Sequence, residues 1–244
     1  MTARLLAAAL IAFAALAEGA SATEIRGVVE LYTSQGCSAC PPADRILGEF
    51  ARDGSIVALT MPVDYWDYIG WKDTLAKPRH TMRQRAYAKA RGDRDVYTPQ
   101  VVVNGRTHVL GSDRAAIDRA LEGPPSDDGT LSLHLTVGAA DGKVTVEVPS
   151  ATTTPASGQV WLCALVKETP VEIGRGENRG KTLTYYNVVR RWVKLGDWDG
   201  RQRTFTTPLR EIGNDGIDAV AVIVQGGTAD SPGTMFGAGV AALH

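Results

Sequence analysis

The run Cys37-Ser38-Ala39-Cys40-Pro41-Pro42 constrains this chain more than any other feature. Proline fits the first turn of a helix, where its missing N–H would have had no intrahelical partner, so the run predicts a helix from Pro41. The stretch before it, Gly27 to Thr33, is apolar and β-rich and predicts a strand. The two cysteines therefore stand where a strand ends and a helix begins. There the unpaired backbone N–H groups and the positive end of the helix dipole favour a thiolate, the attacking species in disulfide exchange. A second thiol one turn later can reach back and resolve a mixed disulfide. On this reading Cys37 is the nucleophile and Cys40 the resolving thiol. An inert structural disulfide, half of a metal site and a pair of reduced core cysteines are the competing readings. A zinc site wants four ligands, and His80, His108, His134 and His244 have no paired spacing, so no metal and no organic cofactor is expected.

The elements around the pair alternate. Pro41 to Arg52 carries Ile46, Leu47 and Phe50 at helical spacing, and Ser55 to Val63 reads as a buried strand. Pro78 starts a second helix that runs to about Arg91, with Met82, Ala86, Tyr87 and Ala90 on one side. Gln100 to Val103 and Thr107 to Leu110 are short strands joined by Asn104-Gly105, a strong hairpin signal. Ser112 or Asp113 caps a last helix, Arg114 to Leu121. The order β-α-β-α-β-β-α predicts a parallel pair with crossover helices and an added antiparallel hairpin, an α/β domain over residues 23–122. Residues 123–130, with Gly123 to Gly129 free of apolar side chains, read as a linker. Beyond it the period changes to two. Leu131 to Val137, Lys143 to Val148, Gln159 to Lys167, Thr182 to Lys194, Arg201 to Thr206, Ile217 to Gln225 and Met235 to Leu243 predict an antiparallel β-sandwich over 131–244.

The first residues read as a targeting segment. Arg4 precedes an unbroken apolar stretch, Leu5 to Ala17, and Ala20-Ser21-Ala22 is a small-x-small site, so residues 1–22 are expected to be a cleaved signal peptide. The apolar run is too short for a membrane span, and none is expected after cleavage. Losing Arg4 and Glu18 leaves the formal net charge at −1, which gives no basic surplus for nucleic acid or acidic membranes. Export to the periplasm or outside the cell places the cysteines where disulfides persist. With only three cysteines the chain is no disulfide-stapled scaffold, and Cys163, inside the apolar run Val160 to Val166, reads as an inert core residue.

Thr98-Pro99 opens a buried strand just ahead of the hairpin, a place where a cis peptide bond is tolerated. Taken together, the strand, the Cys-x-x-Cys, the alternating elements and Thr98-Pro99 resemble the thioredoxin superfamily over residues 26–122. Val29 to Asp44, Val63 to Asp73 and Thr182 to Arg190 resemble, more closely, the exported family called domain of unknown function 1223. The superfamily resemblance implies an exposed nucleophile at Cys37, a buried partner at Cys40, and a cis Pro99 packed beside them with Thr98 before it. Two departures stand out. Gly36 replaces the tryptophan that precedes the first cysteine in thioredoxins, and Glu30 lies one residue out of register with their strand acid. Because side chains alternate along a strand, Glu30 should face away from the pair.

Asp64 to Asp73 packs two Trp, two Tyr and three Asp into ten residues after the second strand. It either flanks the cysteines and holds a polypeptide or ligand, or covers the apolar seam between the domains. Gly174 to Thr182 lacks the first glycine of a phosphate loop and runs into an alternating strand, so it reads as a glycine-rich hairpin loop. The functional expectation is an exported thiol–disulfide oxidoreductase acting on exported protein thiols or disulfides or small thiols, with a redox partner protein. The alternative is a non-catalytic binding module for a metal ion or protein partner.

Overall fold

In the computed structural model, which describes residues 24–123, 128–152, 157–213 and 216–243, β1 (Gly27–Thr33) is buried along its whole length. The expected leader, 1–22, and part of the expected linker, 124–127, lie outside the described residues. Cys40 caps α1 (Pro41–Phe50), and the two prolines fill its first turn. β1 pairs in parallel with β2 (Ile56–Pro62), and its two faces go to different helices. Val29 and Leu31 pack with Ala43, Leu47 and Phe50 of α1, whereas Val28 and Tyr32 pack with Tyr87 of α2 (Pro78–Arg91). The strand is buried on both faces because helices cover both, which is why its sequence is a continuous apolar run rather than an alternating one.

β3 (Gln100–Val103) runs antiparallel to β1 on its other side and continues through Asn104-Gly105 into β4 (Thr107–Leu110). Both turn residues have positive φ, 53° and 73°, as a hairpin turn of this length requires. α3 (Arg114–Leu121) starts at Asp113, whose carboxylate accepts the Ala116 N–H at 2.9 Å.

The second half holds β5 (Leu133–His134), β6 (Thr136–Ala140), β7 (Lys143–Val148), β8 (Gly158–Glu172), β9 (Thr182–Trp198), β10 (Arg203–Pro208), the short α4 (Leu209–Ile212), β11 (Ala219–Thr228) and β12 (Ser231–Ala242). It does not stand apart from the first half. One nine-stranded sheet runs β4-β3-β1-β2-β9-β8-β11-β12-β5 through both. The junction is a parallel contact of β2 with β9, where Thr60 lies opposite Val188. Thr60 Oγ1 also donates to the Tyr186 carbonyl at 2.5 Å, and Asn187 Nδ2 donates to the Ala58 carbonyl at 3.1 Å. A parallel contact between strands more than a hundred residues apart leaves no local mark in the sequence.

The sheet curls around α2, so Tyr87 shares one cluster with Leu59 and Met61 at one end and with Ala221, Ile223 and Met235 at the other. A smaller sheet, β10-β7-β6, lies on the other face of the second half. There Val144, Val146 and Val148 form a second core with Leu162, Ala164, Val222 and Trp198. The molecule is a mixed α/β protein built on one large curled sheet with few helices.

Candidate active site

Cys37 and Cys40 form a disulfide across the junction of β1 and α1. Their turn is held by its own backbone, Cys37 N–H donating to the Ser34 carbonyl at 3.1 Å and Cys40 N–H to that of Cys37 at 3.2 Å. The Thr98–Pro99 peptide bond is cis. Pro99 stands beside the first turn of α1, since a Cβ added at Gly111 would lie 3.1 Å from Pro99 Cβ and 3.2 Å from Ala43 Cβ. Trp66 links the two segments. Its Nε1–H donates to Thr98 Oγ1 at 2.7 Å, while its Cβ would sit 3.3 Å from a Cβ at Gly36. With Ile69 Cδ1 at 3.1 Å from the same point, no bulky side chain fits at position 36. The glycine before Cys37 is thus the counterpart of an aromatic loop folded down onto it.

The exposed nucleophile implied for Cys37 is not what is seen. Cys37 is 2% exposed and Cys40 0%. The cover comes from the second half of the chain. The glycine-rich loop between β8 and β9 forms the expected hairpin connection, and it also reaches over the cysteine turn. Asn178 Nδ2 donates to the carbonyls of both Gln35 and Cys37 at 2.9 Å, and the Glu177 carboxylate accepts the Ser38 N–H at 3.3 Å. Trp71 packs against Gly174 and Gly176 of that loop, and its Nε1–H donates to Gln35 Oε1 at 2.8 Å. The aromatic segment therefore lies against the cysteine turn through Trp66 and packs on the loop of the second half through Trp71, as the covering role requires. Tyr68, stacked on Trp66 with ring centroids 6.4 Å apart, remains 81% exposed.

Beneath the pair lies a cluster of buried acids that sequence reading assigned no role. Asp44 is one helical turn beyond Cys40, and positions four apart on a helix are neighbours. Its Oδ1 accepts from Thr33 Oγ1 at 2.7 Å, but Oδ2 has no hydrogen-bond partner among the described residues. Burial pushes the Asp44 carboxyl up to about 7; the Thr33 hydrogen bond opposes this and the charge of Asp73 adds to it. Burial also raises Asp73, although its oxygens accept the backbone N–H groups of Gln35 and Leu75 at 2.8 Å and Ala76 at 3.0 Å. The Tyr185 hydroxyl, buried and without a hydrogen-bond partner among the described residues, is driven well up by desolvation and by the charges of Asp44 and Asp73. The spacing of Asp44 from Cys40 was legible in the sequence; the approach of Tyr185 and Asn178 from the other half was not.

Glu30 faces the opposite way, as alternation requires. It pairs with Arg83 of α2 at 2.6 Å and accepts from the Tyr87 hydroxyl at 2.7 Å. Cys163 is fully buried in the core around α2, and desolvation raises its thiol far above the usual range. Among the described residues no three His, Cys, Asp or Glu side chains are grouped to hold a metal ion, and no helix is long and apolar enough to cross a membrane.

Comparison with known proteins agrees with the second of the two resemblances. No curated protein matches this chain. Among solved structures, the crystal structure of a protein from Agrobacterium tumefaciens is similar, with 33% identity, 88% of this chain and 93% of that one covered, and a TM-score of 0.79. The family model described as "Protein of unknown function (DUF1223)" matches residues 28–225, and the chain belongs to that family.

Proposed function

We propose that this chain is an exported thiol–disulfide oxidoreductase whose N-terminal half is thioredoxin-like. The observation that carries the reading is the Cys37–Cys40 disulfide at the N-terminus of α1 with the cis Thr98–Pro99 bond beside the same turn. From the disulfide form, a substrate thiolate attacks Cys37 Sγ, the bond to Cys40 breaks, and Cys40 leaves with the electron pair. Asp44, held near neutrality by burial, supplies the proton that Cys40 then takes up. A second substrate thiolate attacks the substrate sulfur of the mixed disulfide and expels Cys37, leaving a substrate disulfide and the enzyme dithiol. Two electrons have moved from substrate to protein, and the disulfide of a redox partner protein removes them. Run in reverse, the same steps reduce a substrate. Because Cys37 is covered, exchange requires the β8–β9 loop to lift, and the Asn178 hydrogen bonds to Gln35 and Cys37 are what hold it down.

That same cover favours a second reading, in which the buried disulfide is an inert fixture of a binding module for a metal ion or protein partner. A Cys40→Ala variant separates the two. On the first reading it accumulates thiol-releasable adducts through Cys37 with exported proteins, and adding Asn178→Ala increases their yield roughly tenfold, since an unpaired buried carbonyl costs about 1–3 kcal/mol. No adduct in either variant leaves only the binding reading.

A further inference from the structure

On the α2 face of the curled sheet, away from α1 and the cysteine turn, a cavity of about 230 Å³ opens between α2 and strands β2, β8 and β9. Two of its walls are Trp161 and Trp192, ring centroids 6.1 Å apart and tilted by 42°. Met61 and Met82 complete the apolar lining, and thioether sulfur is a favourable neighbour for an aromatic ring. The aromatic wall is held in place before anything binds. The Arg83 guanidinium lies 4.0 Å from the Trp192 ring and is itself fixed by Glu30 at 2.6 Å and Gln225 at 2.9 Å.

A polar atom of this lining that makes no protein hydrogen bond among the described residues is His80 Nε2. His80 is 2% exposed, and its Nδ1 lies 2.9 Å from the Pro62 carbonyl. A carbonyl can only accept, so the proton sits on Nδ1 and Nε2 keeps its lone pair. No protein group bonds to Nε2 among the described residues. Burial lowers the imidazole to about 4; the Pro62 carbonyl opposes this, and the charges of Lys77, Arg190 and Arg83 reinforce it. At neutral pH Nε2 is therefore a fixed acceptor in an apolar recess, which suits a donor and repels an anion. Arg79 and Asp230, of opposite sign, share the lining and give no preference for a charged ligand.

The geometry points to a binding site for a small uncharged aromatic molecule carrying an O–H or N–H donor, its ring among Trp161, Trp192 and the two methionines and its donor on His80 Nε2. The volume lies below the ~300 Å³ at which drug-sized pockets begin, which limits the occupant to about one or two rings. This site is independent of the thiol chemistry and stands or falls without it.

The test is titration of the full chain with phenol and with indole, followed by calorimetry and by tryptophan fluorescence. Saturable binding at one site is expected, with a dissociation constant on the order of 0.1–1 mM for ligands this small. Benzene, which lacks the donor, should bind at least about tenfold more weakly, because Nε2 is then buried unpaired. His80→Leu should remove that preference. Met82→Trp changes a side chain that is 63% exposed yet lines the cavity, so it should block binding while leaving the fold intact. Benzene binding as tightly as phenol, no saturation by phenol or indole up to roughly 10 mM, or unchanged binding in Met82→Trp would each overturn the assignment.

Discussion

Two clusters of buried polar groups sit on opposite faces of β1, and they are built differently. On the α2 face, Arg83 donates to both Glu30 oxygens at 2.6 and 3.3 Å and to the Tyr87 hydroxyl at 2.8 Å, and Gln225 Nε2 donates to Tyr87 at 2.7 Å. Within this group of four every charge has a partner; the neighbouring Tyr32 hydroxyl has none among the described residues. On the α1 face, beneath the cysteines, Asp44 Oδ2 and the Tyr185 hydroxyl have no hydrogen-bond partner among the described residues. A satisfied buried network specifies a fold; a half-satisfied one costs stability and keeps a proton available. On the proposed function the first cluster is structural and the second serves the thiol chemistry.

The largest expected effect is on the satisfied cluster. Arg83→Met leaves the Glu30 carboxylate buried with the Tyr87 hydroxyl but without an opposing charge, and should cost about 3–5 kcal/mol in denaturant unfolding, much of it recovered when Glu30→Leu is added. A cost under about 1 kcal/mol would mean that the network is not a structural lock.

Next comes Asp44→Asn, with the opposite sign. The Asp44 carboxyl is raised from 3.8 to about 7 in the folded chain, so the folded state holds a proton that the unfolded state loses across that window. Stability from this group is therefore present below about pH 4 and is lost as pH rises to about 7. Asparagine cannot ionise, so the variant should be more stable than the parent at pH 8, by on the order of 2–4 kcal/mol, and no more stable at pH 4. Equal stability of the two proteins across this range would show that Asp44 is not buried as an acid.

The two tyrosines sharpen the contrast at smaller scale. Tyr87→Phe removes the three hydrogen bonds its hydroxyl makes with Glu30, Arg83 and Gln225 and should cost about 1–3 kcal/mol. Tyr185→Phe removes a buried hydroxyl that has no hydrogen-bond partner among the described residues and should raise stability, by up to about 1–3 kcal/mol. Thermal unfolding of both, side by side, checks the pair. Similar losses in the two variants would erase the distinction between the clusters.

The first half was readable because its signals are local. Pro41 marks the start of α1, Pro78 that of α2, Asn104-Gly105 the hairpin, and Asp113 the cap of α3, and each element begins within a residue of where its punctuation places it. In the second half the alternation located the strands but not their partners. The expected separate sandwich is joined edge to edge to the first half through Thr60 and Val188, a pairing set by packing between distant segments. The site divides the same way. Cys37, Cys40, Thr98 and Pro99 carry their pattern in the sequence, as does Asp44 by its helical spacing. The burial of Cys37 does not, because it depends on Asn178 arriving from a loop 141 residues away.

The proposed function requires the Cys37–Cys40 disulfide to be a working redox pair rather than a fixed crosslink. Equilibrating the protein in glutathione buffers of graded potential, then counting free Cys37 and Cys40 thiols by alkylation and mass spectrometry, tests it directly. A working pair exchanges reversibly, with a midpoint between about −120 and −270 mV, the range of proteins that trade disulfides. A disulfide that stays closed in the native protein below about −300 mV, and opens only on unfolding, would contradict the proposed function.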